Sequence, residues 1–271
     1  MSFFIETIHE YNGSGIKAAL FDFDGTISLI REGWQQIMIP YFCEVLTAAD
    51  NKMTADEIKH EVTEFVDRLT GKQTIYQCIA LDEAVVKRGG AHTEPIVYKN
   101  EYLRRLNLQI AGRKEELAAD ISKREKYTVK GAVDFIVSLK EHGIKCYLAS
   151  GTDEADVIYE AALLGLENAF DGGIHGARDG LLDCSKEAVI RALIENEKLL
   201  PEELAAFGDG YVEIELVSKL GGYAVGAATD EKTSQGIDEW KRGRLLTAGA
   251  DAIIPNFENI PALLSALKIQ K

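Results

Sequence analysis

Short apolar runs that end in polar residues recur along the chain. They lie at residues 16–21, 144–149, 204–207, 223–226 and 252–255. An unbroken apolar run of this length is typical of a strand that is buried on both faces. Between the runs, apolar residues recur at helical spacing, for example over residues 132–139. This alternation predicts an α/β fold with a doubly wound, Rossmann-like parallel sheet covered by helices.

One long stretch interrupts the alternation. Residues 28–130 contain no strand pattern, and amphipathic helical patterns extend over residues 55–69 and 100–124. We therefore predict an inserted all-α domain at residues 28–130 and an α/β core built from residues 1–27 and 131–271. The insert carries 16 basic and 16 acidic side chains, so the core holds the whole net charge of −14.

Charge and cysteine content exclude several classes of protein. With 30 basic and 44 acidic residues the chain lacks the Lys/Arg excess that nucleic acid or anionic lipid requires, whereas a small anionic ligand is still allowed. No apolar run approaches the length of about 18 residues that spans a bilayer, and the first residues lack a secretory-signal pattern. The four cysteines form no C-x-x-C pair. We expect reduced thiols and a cytoplasmic protein.

Two aspartates follow the first predicted strand, in the sequence Asp22-Phe23-Asp24-Gly25-Thr26. The two-residue period of a strand sends both carboxylates towards the crevice where open α/β sheets bind ligands. A divalent cation between them would relieve their repulsion, and oxygen ligands favour Mg²⁺. Thr26 offers a hydroxyl and an amide to an anion. The same pattern is also typical of an ordinary turn.

Further polar groups follow later predicted strands. Ser150, Gly151 and Thr152 precede a predicted helix, where a hydroxyl and free amides can bind an anion or simply cap the helix. Lys186 begins the next helical pattern, and Asp209 and Glu213 follow the strand at residues 204–207. Each signal is weak alone. Together, these strand ends predict an acidic metal site beside an anion pocket.

The ordered set of motifs resembles a known family. Asp22-x-Asp24-Gly25-Thr26, Ser150-Gly151, Lys186 and Gly208-Asp209-x-x-x-Glu213 look like the four motifs of the haloacid dehalogenase superfamily, phosphatase type. The resemblance extends over residues 17–267, and the helical insert lies where that family places its cap. Near the C-terminus, Trp240-Lys241-Arg242 looks like the phosphoglycolate phosphatase branch.

This resemblance implies a catalytic role for each motif. Asp22 would be the nucleophile that forms an aspartyl-phosphate, and Asp24 would be the general acid and then the base. Mg²⁺ would be held by the Asp22 carboxylate, the Asp24 carbonyl and Asp209. Ser150 and Lys186 would bind the phosphoryl oxygens. The presence of Asp24 argues against dehalogenation, because a departing halide needs no acid.

The roles of three residues are less defined. Glu213 stands where the family more often has aspartate, so it either contacts the metal through water or positions Lys186. In the cap, Lys72 lies in a loop that resembles the family's specificity loop, and Lys72 and Arg31 are candidates to contact the leaving group.

The sequence thus predicts a Mg²⁺-dependent hydrolase of small phosphomonoesters, such as a sugar phosphate or phosphoglycolate. A phosphomutase of the same superfamily is a close alternative. A phosphonoacetaldehyde hydrolase would need a cap lysine as Schiff base, and no pattern favours Lys52, Lys59 or Lys72 for that task. A phospho-accepting signalling module is the alternative of another class, but such modules lack a hundred-residue insert after the first strand.

Overall fold

The computed structural model describes residues 5–49, 52–178 and 186–269. These residues form seven strands and ten α-helices. The strands are β1 (Glu6–Thr7), β2 (Ala18–Phe21), β3 (Lys145–Asp153), β4 (Ile174–Ala177), β5 (Leu204–Gly208), β6 (Tyr223–Ala227) and β7 (Ala252–Ile254). The helices are α1 (Gln35–Ala49), α2 (Ala55–Leu69), α3 (Thr74–Lys87), α4 (Pro95–Ala119), α5 (Ala132–Glu141), α6 (Glu154–Leu163), α7 (Lys186–Glu197), α8 (Tyr211–Leu220), α9 (Glu239–Thr247) and α10 (Ile260–Ala266).

The strands form one sheet in the order β1-β7-β6-β5-β2-β3-β4. β2 pairs in parallel with both β3 and β5, so the ends of these three strands lie at one edge of the sheet. The two-residue β1 pairs antiparallel with β7. The predicted α/β class with a largely parallel, helix-flanked sheet is confirmed. Neither β1 nor β4 was predicted, because Glu6–Thr7 and Ile174–Ala177 contain no apolar run of the kind used to predict strands.

A cluster of four phenylalanines supports the central strands. Phe21 and Phe207 stack with their ring centroids 4.8 Å apart, and Phe135 and Phe257 pack at 5.5 Å. All four rings are fully buried, and burial of each contributes about 1.5–3 kcal/mol. Because Phe21 ends β2 and Phe207 lies near the end of β5, this packing fixes the backbone from which the motif residues extend.

The chain divides into two compact units, Met1–Glu32 with Arg113–Lys271 and Gly33–Gly112. The second unit contains α1, α2, α3 and the first part of α4. Its helix α2 begins with a capping box, in which the Thr54 hydroxyl accepts from the Glu57 amide and the Glu57 carboxylate accepts from the Thr54 amide. The face of α2 that carries Ile58, Val62 and Phe65 is buried.

The compact helical unit is shorter than the predicted insert, residues 28–130. The two ends of the predicted insert belong to the α/β unit. Main-chain hydrogen bonds hold them there: the Leu29 amide donates to the Tyr127 carbonyl, and the Val129 amide donates to the Ile27 carbonyl. Arg113, in the last part of α4, donates to the carbonyls of Ile30 and Glu32, each at 2.9 Å. That the cap domain begins at residue 28 and ends at residue 130 stays a prediction.

None of the helices in the described part of the chain is long and apolar enough to cross a membrane.

Candidate active site

Lys186 joins two carboxylates that extend from neighbouring strand ends. Its ammonium lies 2.9 Å from Oδ2 of Asp22, directly after β2, and donates to Oε2 of Glu213, in the first turn of α8, at 2.6 Å. All three side chains are almost fully buried. Gly208 permits this arrangement, because a Cβ atom there would lie 1.8 Å from Oε1 of Glu213.

One ammonium thus serves two buried carboxylates, so they compete for a single positive charge. Burial raises the pKa of Glu213 to about 7, against the opposing effect of Lys186. Burial also raises the pKa of Asp22, while Lys186 and the Phe23 amide, which donates to Oδ1 at 2.8 Å, favour its ionised form. Oε1 of Glu213 has no hydrogen-bond partner among the described residues. Asp22 thus has two hydrogen-bond donors, whereas Glu213 depends on Lys186 alone among the described side chains.

Asp24 lies two residues further along and has different neighbours. The Thr152 hydroxyl donates to its Oδ2 at 2.7 Å, and Nε of Arg31 is 4.0 Å from its Oδ1. Burial raises the pKa of Asp24 to about 7, and the Arg31 guanidinium acts in the opposite direction. Two carboxyls on one loop thus have distinct environments, the arrangement that separates a nucleophile from an acid.

Arg31 is held by a buried carboxylate cluster. Its Nη2 donates to Glu160 and to Asp156, each at 2.8 Å, and its Nε donates to the other Glu160 oxygen at 3.0 Å. Glu160 is fully buried and is also paired with Lys114 at 2.9 Å. Neighbouring carboxylates raise the pKa of Arg31 further. The expected contact of Arg31 with a leaving group stays a prediction, and the structure gives its guanidinium these partners instead.

The loop after β2 is also tied to the end of β5. The Thr26 hydroxyl accepts from the Asp209 amide at 2.9 Å, so this hydroxyl joins two strand ends, and a contact of Thr26 with an anion stays a prediction. Gly25 has φ +77°, and a Cβ atom there would lie 2.2 Å from Oδ2 of Asp209. Only glycine permits so close an approach of carboxylate to backbone.

The proposed anion pocket lies at the end of β3. Ser150 is buried, and its Oγ accepts from the Thr152 amide at 3.1 Å, which leaves the hydroxyl hydrogen available to a ligand. Gly151 lies between them in the last part of β3, and α6 follows at Glu154. Ser150, Gly151 and Thr152 therefore occupy the strand-to-helix position that the sequence predicted, and their binding of phosphate stays a prediction.

Two further charged residues at the site were missed. The Lys241 ammonium, from α9, donates to Oδ2 of Asp209 at 2.7 Å and to Oε1 of Glu231 at 2.5 Å. Burial opposes charge on this lysine, yet the two carboxylates raise its pKa overall. The motif Trp240-Lys241-Arg242 was noted only as a branch resemblance, and nothing in its spacing places Lys241 beside Asp209.

Lys72 belongs to the helical unit, in the loop between α2 and α3. Its ammonium lies 5.8 Å from the centroid of the Tyr76 ring, a weak cation–π contact. A role for Lys72 in substrate specificity stays a prediction.

The donors fit a hard divalent cation. Asp22 and Asp209, the two carboxylates predicted to hold Mg²⁺, lie close enough for the Asp209 charge to raise the pKa of Asp22. Within the described residues no group of three or more His, Cys, Asp or Glu side chains is arranged to hold a metal. Two carboxylates, a main-chain carbonyl and several retained waters are a typical Mg²⁺ set, whereas Zn²⁺ would need more side-chain ligands.

Two carboxylates and a hydroxyl follow parallel strands, a buried lysine pairs with one of the carboxylates, and a helical insert follows β2, as the resemblance to haloacid dehalogenase-like proteins implies. The family model for haloacid dehalogenase-like hydrolases matches residues 16–221. The chain belongs to this family of hydrolases. Comparison with curated protein sequences gave no match.

Solved structures resemble the chain over most of its length. A phosphonoacetaldehyde hydrolase-like protein from Oleispira antarctica has a TM-score of 0.62 at 13% identity, covering 96% of this chain and 94% of its own. A predicted phosphoglycolate phosphatase from Haemophilus somnus 129PT has a TM-score of 0.59 at 15% identity, covering 93% and 99%. A hydrolase of the family from Deinococcus radiodurans R1, with bound phosphate and sodium, has a TM-score of 0.55 at 14% identity, covering 96% and 99%. At these identities the likeness shows the fold alone.

Proposed function

We propose that the chain is a Mg²⁺-dependent phosphatase that hydrolyses a small phosphate monoester through an aspartyl-phosphate on Asp22. The observation that carries the proposal is that two carboxyls on one loop have different partners. Asp22 is paired with Lys186 at 2.9 Å, whereas Asp24 is hydrogen-bonded to Thr152 and has a pKa raised to about 7 by burial. A nucleophile paired with an ammonium, beside an acid that titrates near neutrality, suits phosphoryl transfer.

In the first step an oxygen of Asp22 attacks phosphorus, and the bond from phosphorus to the ester oxygen breaks. The proton of the Asp24 carboxyl moves to the departing alkoxide. In the second step Asp24 takes a proton from water, whose oxygen attacks phosphorus and releases Asp22 and inorganic phosphate. Lys186 and the Ser150 hydroxyl bind the phosphoryl oxygens throughout and stabilise their charge.

Mg²⁺ would be held by the Asp22 carboxylate, the Asp24 carbonyl and Asp209. When bound, it would supply positive charge that reduces repulsion between nucleophile and phosphate. Glu213 keeps Lys186 in place, since its carboxylate lies 2.6 Å from the ammonium. This contact favours the positioning role for Glu213 over a metal contact through water.

We infer the substrate class from the polar groups at the end of β3. The hydroxyl and amide groups of Ser150, Gly151 and Thr152 would bind one phosphoryl group, which suits a small phosphorylated metabolite such as a sugar phosphate or phosphoglycolate. Lys72 is the cap residue proposed to contact the leaving group. The chain's acidic balance of 30 basic to 44 acidic residues disfavours nucleic acid and membrane surfaces as partners.

The test is phosphate release from a panel of phosphorylated metabolites, measured with Mg²⁺ and again with excess EDTA. We expect release from several small monoesters and its loss with EDTA. An isomerised sugar phosphate without release of phosphate would support a phosphomutase instead. A phosphorylated protein that persists for hours without turnover would support a signalling role.

A further inference from the structure

Lys241 is a buried cation, and its position in α9 does not stabilise that helix. It is the third residue of α9, and its amide donates to Oδ1 of the capping residue Asp238 at 3.0 Å. A positive charge in the first turn of a helix is unfavourable against the helix dipole. The side chain is nevertheless only 10% exposed, and its ammonium contacts Asp209 and Glu231.

The two carboxylates that hold Lys241 lie against the loop that carries the proposed nucleophile. A Cβ atom on Gly25 would be 2.2 Å from Oδ2 of Asp209 and 3.0 Å from Oε1 of Glu231. The Asp209 oxygen that approaches the Gly25 backbone is the same oxygen that accepts from Lys241. Lys241 is thus part of the site and not of a remote surface.

Asp209 is also the residue that the proposed function assigns to Mg²⁺. We propose that Lys241 competes with Mg²⁺ for the Asp209 carboxylate and so lowers the metal affinity of the site, while Glu231 retains the ammonium when Asp209 binds the metal. This inference rests on the proposed function. Two cations that share one carboxylate repel each other strongly where water is largely excluded.

Two nearly isosteric substitutions give opposite expectations. Lys241→Met keeps the aliphatic stem but removes the charge, so Mg²⁺ should bind roughly tenfold or more tightly. Glu231→Gln removes the second acceptor charge, leaves the ammonium on Asp209 alone, and should weaken Mg²⁺ binding by roughly tenfold. A merely structural role would weaken binding in both variants, as the loss of a positioning group around a metal site does.

The measurement is isothermal titration of the full-length chain with Mg²⁺ in the absence of substrate, using Lys241→Arg as the variant that keeps the charge. We expect tighter binding in Lys241→Met, weaker binding in Glu231→Gln and a smaller change in Lys241→Arg. Unchanged or weaker binding in Lys241→Met overturns the proposal, and so does tighter binding in Glu231→Gln. If Lys241→Met fails to fold, Lys241→Gln, which also removes the charge, takes its place: tighter Mg²⁺ binding supports the proposal, and unchanged or weaker binding overturns it.

Phosphatase assays of the same wild-type preparation separate this inference from the proposed function. Turnover with an unchanged Mg²⁺ affinity in Lys241→Met overturns the competition alone. A wild-type chain that binds no Mg²⁺ and releases no phosphate overturns both.

Discussion

A methyl group at Gly208 should disrupt the contact between Lys186 and Glu213. In Gly208→Ala the new Cβ would lie 1.8 Å from Oε1, 2.5 Å from Cδ and 2.6 Å from Cγ of Glu213. Glu213 cannot swing into solvent without breaking its hydrogen bond, because its side chain is 1% exposed and lies 2.6 Å from the Lys186 ammonium. Overpacking of this kind costs about 1–3 kcal/mol.

We therefore expect the free energy of unfolding to fall by about 1–3 kcal/mol in Gly208→Ala. Phosphate release should fall with it, because a displaced Glu213 leaves Lys186 with only Asp22. Urea unfolding followed by circular dichroism measures the first effect, and a phosphate-release assay measures the second.

Gly243→Ala is the matched control. Gly243 lies inside α9, and a Cβ atom there would meet no atom within 4 Å. Alanine should therefore stabilise the chain by about 0.5–1 kcal/mol through its higher helix propensity. Wild-type stability and activity in Gly208→Ala would refute the packing argument for Glu213.

Three other substitutions or reactions test separate parts of the account. Asp24→Asn should lower steady-state turnover of alkyl phosphates and of p-nitrophenyl phosphate alike by roughly 10²–10⁴-fold, because the second step loses its base, while a first-turnover burst of p-nitrophenol persists because a good leaving group needs no acid; absence of that burst in rapid-quench assays would contradict this. Glu160→Gln should destabilise the chain by about 3–5 kcal/mol, since it removes the fully buried carboxylate that pairs with both Arg31 and Lys114, and a urea midpoint equal to that of wild type would refute it. Burial raises the pKa of the Cys146 thiol to about 12, so Cys146 should resist maleimide in the native protein while the half-buried Cys43 reacts. Peptide mapping by mass spectrometry measures the labelling, and labelling of Cys146 before urea is added would contradict this.

The strand ends were predictable because they depend on local patterns. The apolar runs at residues 16–21, 144–149, 204–207, 223–226 and 252–255 each overlap a strand of the sheet, although β3 continues four residues past its run to Asp153. The helical pattern at residues 55–69 matches α2 at both ends. In a parallel sheet, the polar residues that directly follow such strands lie at one edge. The apolar runs therefore predicted where the polar motif residues after them would lie.

The partners of the charged residues were not predictable from spacing. Arg31 contacts Glu160 from 129 positions away, and Lys241 contacts Asp209 from 32 positions away, with α8 and β6 between them in the chain. No periodicity relates such pairs, because tertiary packing alone brings them together. The short strand β1 was missed for a similar reason: two residues carry no strand pattern, and pairing with β7 defines them.

The nucleophile is the central claim, and trapping it is the most direct test. Acid quenching during turnover, followed by peptide mass spectrometry, should find a phosphoryl group on the peptide that contains Asp22. Asp22→Asn should show neither this adduct nor phosphate release, with a circular dichroism spectrum like that of wild type. An Asp22→Asn variant that retains most of its activity would contradict the account.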